Sequence, residues 1–490
     1  MSASGKKIVA VSNRLPITIK KTESGLRMKP GAGGLVTALA PVLRNRGGTW
    51  IGWLGHSGRL ELDELLDQAS RETGYELYPV WLTKEEVDNY YHGFSNEVLW
   101  PLYHDLQTRC RFEPRYWDYY LTVNKKFARA VESKSTEEDF IWVHDYHLTH
   151  LASELRKLGI KRRTGFFLHI PFPTLDIFLR LPWRRQILEA MLEYDLVGFQ
   201  TLRDRRHFVQ CVQSLVPSAR IRGRGQVLKA TYNGRQLRIG TFPISIDYRA
   251  FATDAASETV STTAWYLHEA LPEKQVILGI DRLDYTKGIP ERLWAFETAL
   301  ERFPDLREKV TLVQVVVPSR EDVEEYKALK AEIDGLVGKI NGRFTSSGWV
   351  PIHYLYRSLD RTELLAYYRL AEIALVTPLK DGMNLVCKEY CACNIEGKGV
   401  LVLSEFAGAA AQLHRWALMV NPYDVINVSN AIYQAFTMQR KERRSRMSRM
   451  RASIRKQDIF WWVNSFLQAA FSSKLEAFPL VIEDYIPARQ

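Results

Sequence analysis

Several things are scarce in this chain, and each scarcity excludes a class of protein. Among 490 residues there are five cysteines: Cys110, Cys211, Cys387, Cys391 and Cys393. An odd, sparse set in a long chain without an export signal builds no disulfide framework and points to reduced thiols in the cytoplasm. No run approaches the ~20 apolar residues that span a bilayer, so no membrane partner is expected. The apolar stretch at the N-terminus stops at Ser12 and Asn13, too short for a signal peptide and right for a first strand. No aspartate lies two residues from another, so the Asp-x-Asp pair that would hold a divalent ion against a diphosphate is missing. A reaction on a nucleotide sugar would then be metal-independent, with protein cations and a helix N-terminus stabilising the departing charge. No cofactor is expected either. The loop Pro30 to Gly34, read from Gly31 as GxGxxG, ends on Val36, and no lysine-serine pair completes a nucleoside-triphosphate loop. It can still lay backbone N–H groups against a phosphate at the helix that follows.

The net charge of +11 does not imply nucleic acid. Nine basic residues and one glutamate fall between Arg440 and Lys456, so most of the excess sits in one late helix. Arg446, Arg449 and Arg451, among Met447 and Met450, read as its wet face. A basic helix without base-reading or stacking motifs is weak ground for a nucleic-acid partner.

What the chain has in abundance is alternation of strand and helix signals. Strands are expected at Ile8–Ser12, Thr49–Trp53, Phe140–His144, Thr164–His169 and Leu196–Gln200, with helices at Gly34–Arg44, Leu151–Leu158 and Arg184–Glu193, and an aromatic helix opening at Glu85–Tyr91. One antiparallel interruption is a hairpin over Gln226–Ile239, turning at Asn233-Gly234. A second series has strands at Gln275–Asp281, Val310–Val317, Trp349–Leu355, Ile373–Thr377 and Gly399–Ser404, with helices at Pro290–Phe303, Glu324–Val337, Glu363–Ala371 and Val425–Met438. The expected fold is α/β: two Rossmann-like, doubly wound parallel-sheet domains facing a cleft. The expected boundaries are 1–245, 246–455, and a closing segment 456–490 whose apolar helix Phe460–Phe471 needs a partner surface, that of the N-terminal domain.

The chemistry concentrates in Ala374 to Glu389. An apolar strand is stopped by Pro378, a polar turn carries Lys380, Asp381 and Gly382, and helix formers run from Asn384 to about Cys393. In a parallel sheet such a junction lies at the carboxyl edge, where helix N–H groups meet ligands. Asp381 and Glu389 add carboxylates suited to sugar hydroxyls, although Asp381 also reads as a plain helix cap. After another strand come Arg282 and Lys287, two cations suited to a diphosphate, with a surface salt bridge to Asp284 as the alternative. Arg320 follows the next strand. The first half adds Asn13-Arg14, Trp53, Tyr91, Trp100, the turn His144 to His147, and His169. His144, Asp145 and His147 are metal ligands by type, but the turn lacks zinc spacing, so no metal is assigned. The three late cysteines read as small apolar packing residues.

In order along the chain, SNRLP, GAGGL, NYYHGFSNEVLWP, HDYHL, FFLHIPFP, DLVGFQT, DRLDYTKGIPERL, VPSRED, INGRF, DGMNLVCKEY and FAGAA resemble the trehalose-6-phosphate synthase family, retaining glucosyltransferases of the glycosyltransferase B type. The resemblance implies transfer of glucose from UDP-glucose to glucose 6-phosphate, two small-molecule substrates, with homo-oligomerisation left open. By matching position it implies Arg14, Trp53, Tyr91, Trp100, Asp145 and Arg320 at the acceptor. At the donor it implies Gly33, Gly34, His169, Arg282, Lys287, Asp381, Gly382, Met383, Asn384, Leu385, Val386 and Glu389. Asp145, His169, Arg282, Lys287 and Asp381 would form the catalytic set. Leu359 replaces a bulkier residue seen in some members, which leaves the donor base open. A relative with another phosphorylated acceptor, such as a glucosylglycerol-phosphate synthase, and a catalytically silent sugar-phosphate sensor are the alternatives.

Overall fold

The computed structural model describes residues 7–22, 25–31, 34–59, 62–271, 275–320 and 323–472. The chain divides into two compact units. One takes the chain up to Ile244 together with the segment from Phe460, and the other runs from Ser245 to Ile459.

The first unit is built on a nine-stranded sheet. Its strands lie side by side in the order Glu76–Leu82, Gly48–Ser57, Ile8–Arg14, Phe140–His144, Thr164–Phe167, Leu196–Phe199, Arg235–Thr241, Val227–Tyr232, Arg220–Arg222. The first seven are parallel and the last two antiparallel. The strand order reverses between Ile8–Arg14 and Phe140–His144. Crossovers leave in opposite directions there and open a crevice at the carboxyl ends of those two strands. The expected hairpin is present, with Asn233 at φ 47° and Gly234 at φ 75°, the left-handed pair a two-residue turn needs. The helix Ile459–Phe471 packs on this sheet. Trp462 stacks on Trp142 with centroids 5.0 Å apart, and Phe466 lies flat on the same indole at 4.5 Å. Both side chains are fully buried, each stabilising the fold by roughly 2–3 kcal/mol. Arg163 and Arg238 donate to the carbonyls of Ala470 and Ala469, closing the helix's C-terminal end with cations.

In the second unit six parallel strands run Ile352–Tyr356, Val310–Val317, Gln275–Arg282, Ile373–Val376, Val400–Ser404, Leu418–Val420. In sequence order this is 3-2-1-4-5-6, the doubly wound arrangement. Its reversal falls between Gln275–Arg282 and Ile373–Val376. These strands are apolar almost without interruption because helices cover both faces. Ile277, Leu312, Val316, Ile373, Leu375, Val400 and Val402 all belong to one buried cluster.

Several elements differ from the sequence expectation. The strand expected at Trp349–Leu355 begins at Ile352, because Trp349 instead buries its ring and donates its indole N–H to Val310 O. The helix expected to stop at Val337 continues to Phe344, its glycines being tolerated where tertiary packing holds the helix. The aromatic helix is wound with five-residue hydrogen bonds over Val87–Leu99, as in the bond from Trp100 N to Ser95 O. The basic helix Arg440–Lys456 is less wet than its charge implies. Met447, Met450 and Arg443 are buried, and Arg443 spends its guanidinium on the carbonyls of Ala435, Phe436 and Met438.

Candidate active site

In each unit the sequence-predicted residues gather at the reversal point of the sheet. In the first, Arg14 ends the Ile8–Arg14 strand and lays its guanidinium over the Trp53 indole, 4.3 Å from the ring centroid, and over Tyr91 at 5.7 Å. Trp53 and Tyr91 meet edge to face at 5.3 Å, and Trp53 donates its N–H to His56 O. Tyr91 in turn stacks on His147 with an interplanar angle of 14°. A guanidinium held flat on aromatic faces keeps its N–H edges available for an anion. Gly55 completes this arrangement. At φ 100°, any Cβ there would fall on the Arg14 guanidinium. Sequence reading missed Gly55, whose only signal is its place two residues after Trp53. Trp100 packs on His104 and Tyr146, one step along the same aromatic series.

Across the reversal point stands Asp145. Its φ of 73° and ψ of 166° lie in a region that side chains other than glycine's seldom enter, at a cost of about 1–3 kcal/mol. The conformation is held by the bond from Asp145 N to Phe167 O, at 2.8 Å, and by the carboxylate accepting His169 N at 3.1 Å. The His169 ring meets His144, Nε2 to Nδ1, at 3.1 Å. Burial drives the His169 pKa down to about 3. It also drives that of His144 well down, helped by its neighbour. Both rings are therefore neutral hydrogen-bonding groups, one donating to the other. Gly34 opens the helix Gly34–Arg46. Gly33 lies outside the described residues.

In the second unit, Arg282 stands exposed at the end of its strand and Lys287 follows in a short turn. The sequence alternative of a Lys287–Asp284 salt bridge gives way to a different pairing. Lys287 Nζ lies 2.6 Å from Asp381 Oδ2, so the ion pair bridges the two strands that flank the reversal point. Burial alone would lower the Lys287 pKa, but Asp381 and Asp284 outweigh it and raise it, which keeps the ammonium charged. Asp284 instead caps its own turn, accepting from Thr286 N and Oγ1, and takes the Tyr326 hydroxyl at 3.3 Å. Arg320, at φ 51°, donates to that same Tyr326 hydroxyl. Burial would raise the Asp284 carboxyl, yet Arg320, Lys287 and Arg282 together hold it below its ordinary range. The three edge-loop cations thus converge on one carboxylate. Beneath them the buried pair Arg292–Asp281, at 2.8 Å, ties the first strand to Thr377 and Gln314.

The plain-cap reading of Asp381 is decided by its bonds. Asn384, at φ 71°, is the capping side chain, accepting Cys387 N at 3.1 Å as the helix Val386–Cys393 begins. Asp381 faces Lys287, with Met383 N and Asn384 Nδ2 each 3.3 Å away. Gly408 presses so closely on the Gly382 carbonyl that no Cβ fits, and Ala409 N donates to Met383 O. The FAGAA stretch is therefore the floor of the Gly382–Val386 loop. Glu389 is half-buried and accepts the Tyr368 hydroxyl at 2.8 Å, and desolvation raises its pKa. Tyr368, 21 residues away with no shared motif, is a partner that sequence reading could not assign.

A sequence profile described as Glycosyltransferase family 20 matches residues 6–471. The chain belongs to that family. Among family 20 relatives, the trehalose-6-phosphate synthase of Mycolicibacterium vanbaalenii is 41% identical over 476 residues, covering 96% of this chain and 97% of the relative. Among solved structures, an α,α-trehalose-phosphate synthase (UDP-forming) from Burkholderia xenovorans in complex with glucose-6-phosphate superposes with TM-score 0.86. It is 35% identical and covers 95% of this chain and 99% of that one. An E. coli structure bound with UDP-2-fluoro glucose gives TM-score 0.85 at 38% identity, over 95% of this chain and 99% of that one. The two α/β units are those of the family's glycosyltransferase B type fold. Both units present guanidinium or ammonium groups at the carboxyl ends of their sheets, Arg14 in the first and Lys287 in the second. The three late cysteines, all buried, have pKa values raised by burial and act as packing. Among the described residues no group of three His, Cys, Asp or Glu side chains forms a metal cluster, and no helix is long and apolar enough to cross a membrane.

Proposed function

We propose that this chain transfers the glucosyl group of UDP-glucose to glucose 6-phosphate with retention of configuration, giving α,α-trehalose 6-phosphate and UDP. The observation that carries the reading is the Lys287–Asp381 pair at the sheet's reversal point, with Arg282 and Arg320 drawn toward the same place. Such a group of cations suits a diphosphate leaving group.

In this scheme Arg282 and Lys287 hold the pyrophosphoryl oxygens and take up the charge that grows as the C1–O bond breaks. Asp381 orients Lys287 and, with the backbone N–H groups of Gly382 to Asn384, receives hydroxyls of the donor glucose. Leu385 and Val386 line the nucleotide side and Glu389 accepts the ribose hydroxyls. Arg14, backed by Trp53 and Tyr91, binds the acceptor phosphate with Trp100, and Asp145 accepts an acceptor hydroxyl. No side chain attacks the anomeric carbon. The acceptor hydroxyl forms the new C1–O bond on the face the diphosphate leaves, and its proton passes to the departing phosphate oxygen. The protein supplies position and charge. A cytoplasmic location accords with five unpaired cysteines, four of them buried.

The test is purified protein with glucose 6-phosphate and UDP-, ADP- or GDP-glucose, products assigned by NMR. The α,α-1,1 linked phosphate is expected with UDP-glucose. A different acceptor product, or none with any donor, overturns the reading.

A further inference from the structure

The basic helix Arg440–Lys456 has a strip that has no part in the donor site described above. Arg444, Ser448, Arg451 and Arg455 recur at i, i+4, i+7 and i+11, which at 100° per residue confines them to an arc of roughly 60°. With Tyr248 and Glu396 they line a concavity of ≈ 460 Å³. Its charge is one-sided. Glu396, the only carboxylate in the lining, is already held by Lys398 at 2.7 Å and Arg369 at 3.3 Å. Arg444 and Arg455 are exposed and have no acidic partner among the described residues. Arg451 is anchored. Its Nη1 donates to the carbonyls of Cys391 and Ala392, at 3.1 and 2.6 Å, and its guanidinium lies 5.6 Å from the Tyr248 ring centroid. Three guanidiniums around one hollow repel each other until an anion enters, and their forked donors fit phosphate oxygens.

We propose that this concavity is a binding site for a small, soluble phosphate-bearing molecule, separate from both substrate subsites and coupled to the donor end of the second unit. The coupling runs through Arg451. It holds the C-terminal carbonyls of the helix Val386–Cys393, whose first turn carries Glu389. An anion that draws Arg451 toward itself loosens that hold. Coupling rests on the donor reading given above, whereas anion binding does not.

The test uses the full chain saturated with UDP and glucose 6-phosphate, so that the substrate phosphate subsites are filled, and titrates pyrophosphate by calorimetry. Wild type is expected to take one further equivalent. The double variant R444A/R455A, altered only at exposed positions, is expected to bind it about a hundredfold more weakly while UDP and glucose 6-phosphate affinities stay unchanged. No further equivalent in wild type, or an equivalent indifferent to the two substitutions, overturns the site and leaves the arginines as a solvated face. Anionic phospholipid vesicles are expected to retain neither protein, and retention that depends on Arg444 and Arg455 would assign the hollow to a lipid headgroup instead. Failure of UDP itself to bind counts against the proposed function, not this site. For coupling, pyrophosphate is expected to shift the apparent UDP affinity about fivefold more in wild type than in the double variant, where only competition at the donor site remains. An equal shift in both removes the coupling.

Discussion

Lys287→Ala tests the charge logic of the donor half most directly. The Lys287 and Asp381 side chains are 13% and 15% exposed, so the pair is mostly buried. Removing the ammonium takes the ion pair from Asp381, whose contacts with Met383 N and Asn384 Nδ2 are each 3.3 Å long. A largely buried carboxylate that loses its paired cation costs about 3 kcal/mol of stability. Loss of a group that stabilises the departing diphosphate costs about 3–4 kcal/mol in the transition state, or 10²–10³ in kcat. The two effects separate in the double variant K287A/D381A. With no stranded charge, most of the lost stability returns, whereas turnover stays low because nothing replaces the ammonium. The assay is UDP release at saturating glucose 6-phosphate, with urea unfolding of all three proteins alongside. Near-normal kcat in K287A, or recovery of turnover in the double variant, would refute the assignment of Lys287 to the leaving group.

Gly55→Ala places a Cβ on the Arg14 guanidinium. It should raise KM for glucose 6-phosphate more than tenfold and leave UDP affinity unchanged, which steady-state kinetics with a UDP titration would check. His144 and His169 are held neutral by burial, with pKa values below the unfolded 6.5. The unfolded chain therefore binds more protons below about pH 6.5, and stability should fall with falling pH by up to about 1.4 kcal/mol per unit for each ring. Denaturant unfolding from pH 7 to 5 reads this, and a flat profile contradicts it. Lys388 is 1% exposed and its pKa is pushed down to about 8 by burial. The unfolded state is the better proton binder between about pH 8 and 10.5, so stability should rise with pH across that window. Lys388→Met should abolish the rise and, at pH 7, add up to about 3 kcal/mol to the urea-unfolding free energy.

Much of the fold was legible because its strands are buried on both faces and read as continuous apolar runs such as Val310–Val317. The edge strand Glu76–Leu82 and the paired strands Ile17–Thr22 and Gly25–Pro30 lack that signature and went unread. Among the candidate site residues, Arg14, Asp145, Arg282, Lys287 and Asp381 were legible because they stand in strand-end motifs. Those that act by touching them from elsewhere in the chain were not. Tyr368 behind Glu389, Tyr326 between Arg320 and Asp284, and Gly55 under Arg14 show no spacing that names a partner.

By itself the sequence determined the two α/β series, the absence of an Asp-x-Asp ion site, and which side chains end up at the carboxyl edges of strands. All of these follow from local periodicity and from residue chemistry at fixed positions. Only the tertiary structure decided who pairs with whom. Lys287 meets Asp381 and not Asp284, and Asn384 rather than Asp381 caps the helix. Arginines of one helix divide between core carbonyls and an open hollow. The reason is that ion pairing and burial depend on distances between segments far apart in the chain, 94 residues for Lys287 and Asp381, which strand order sets and local pattern does not encode.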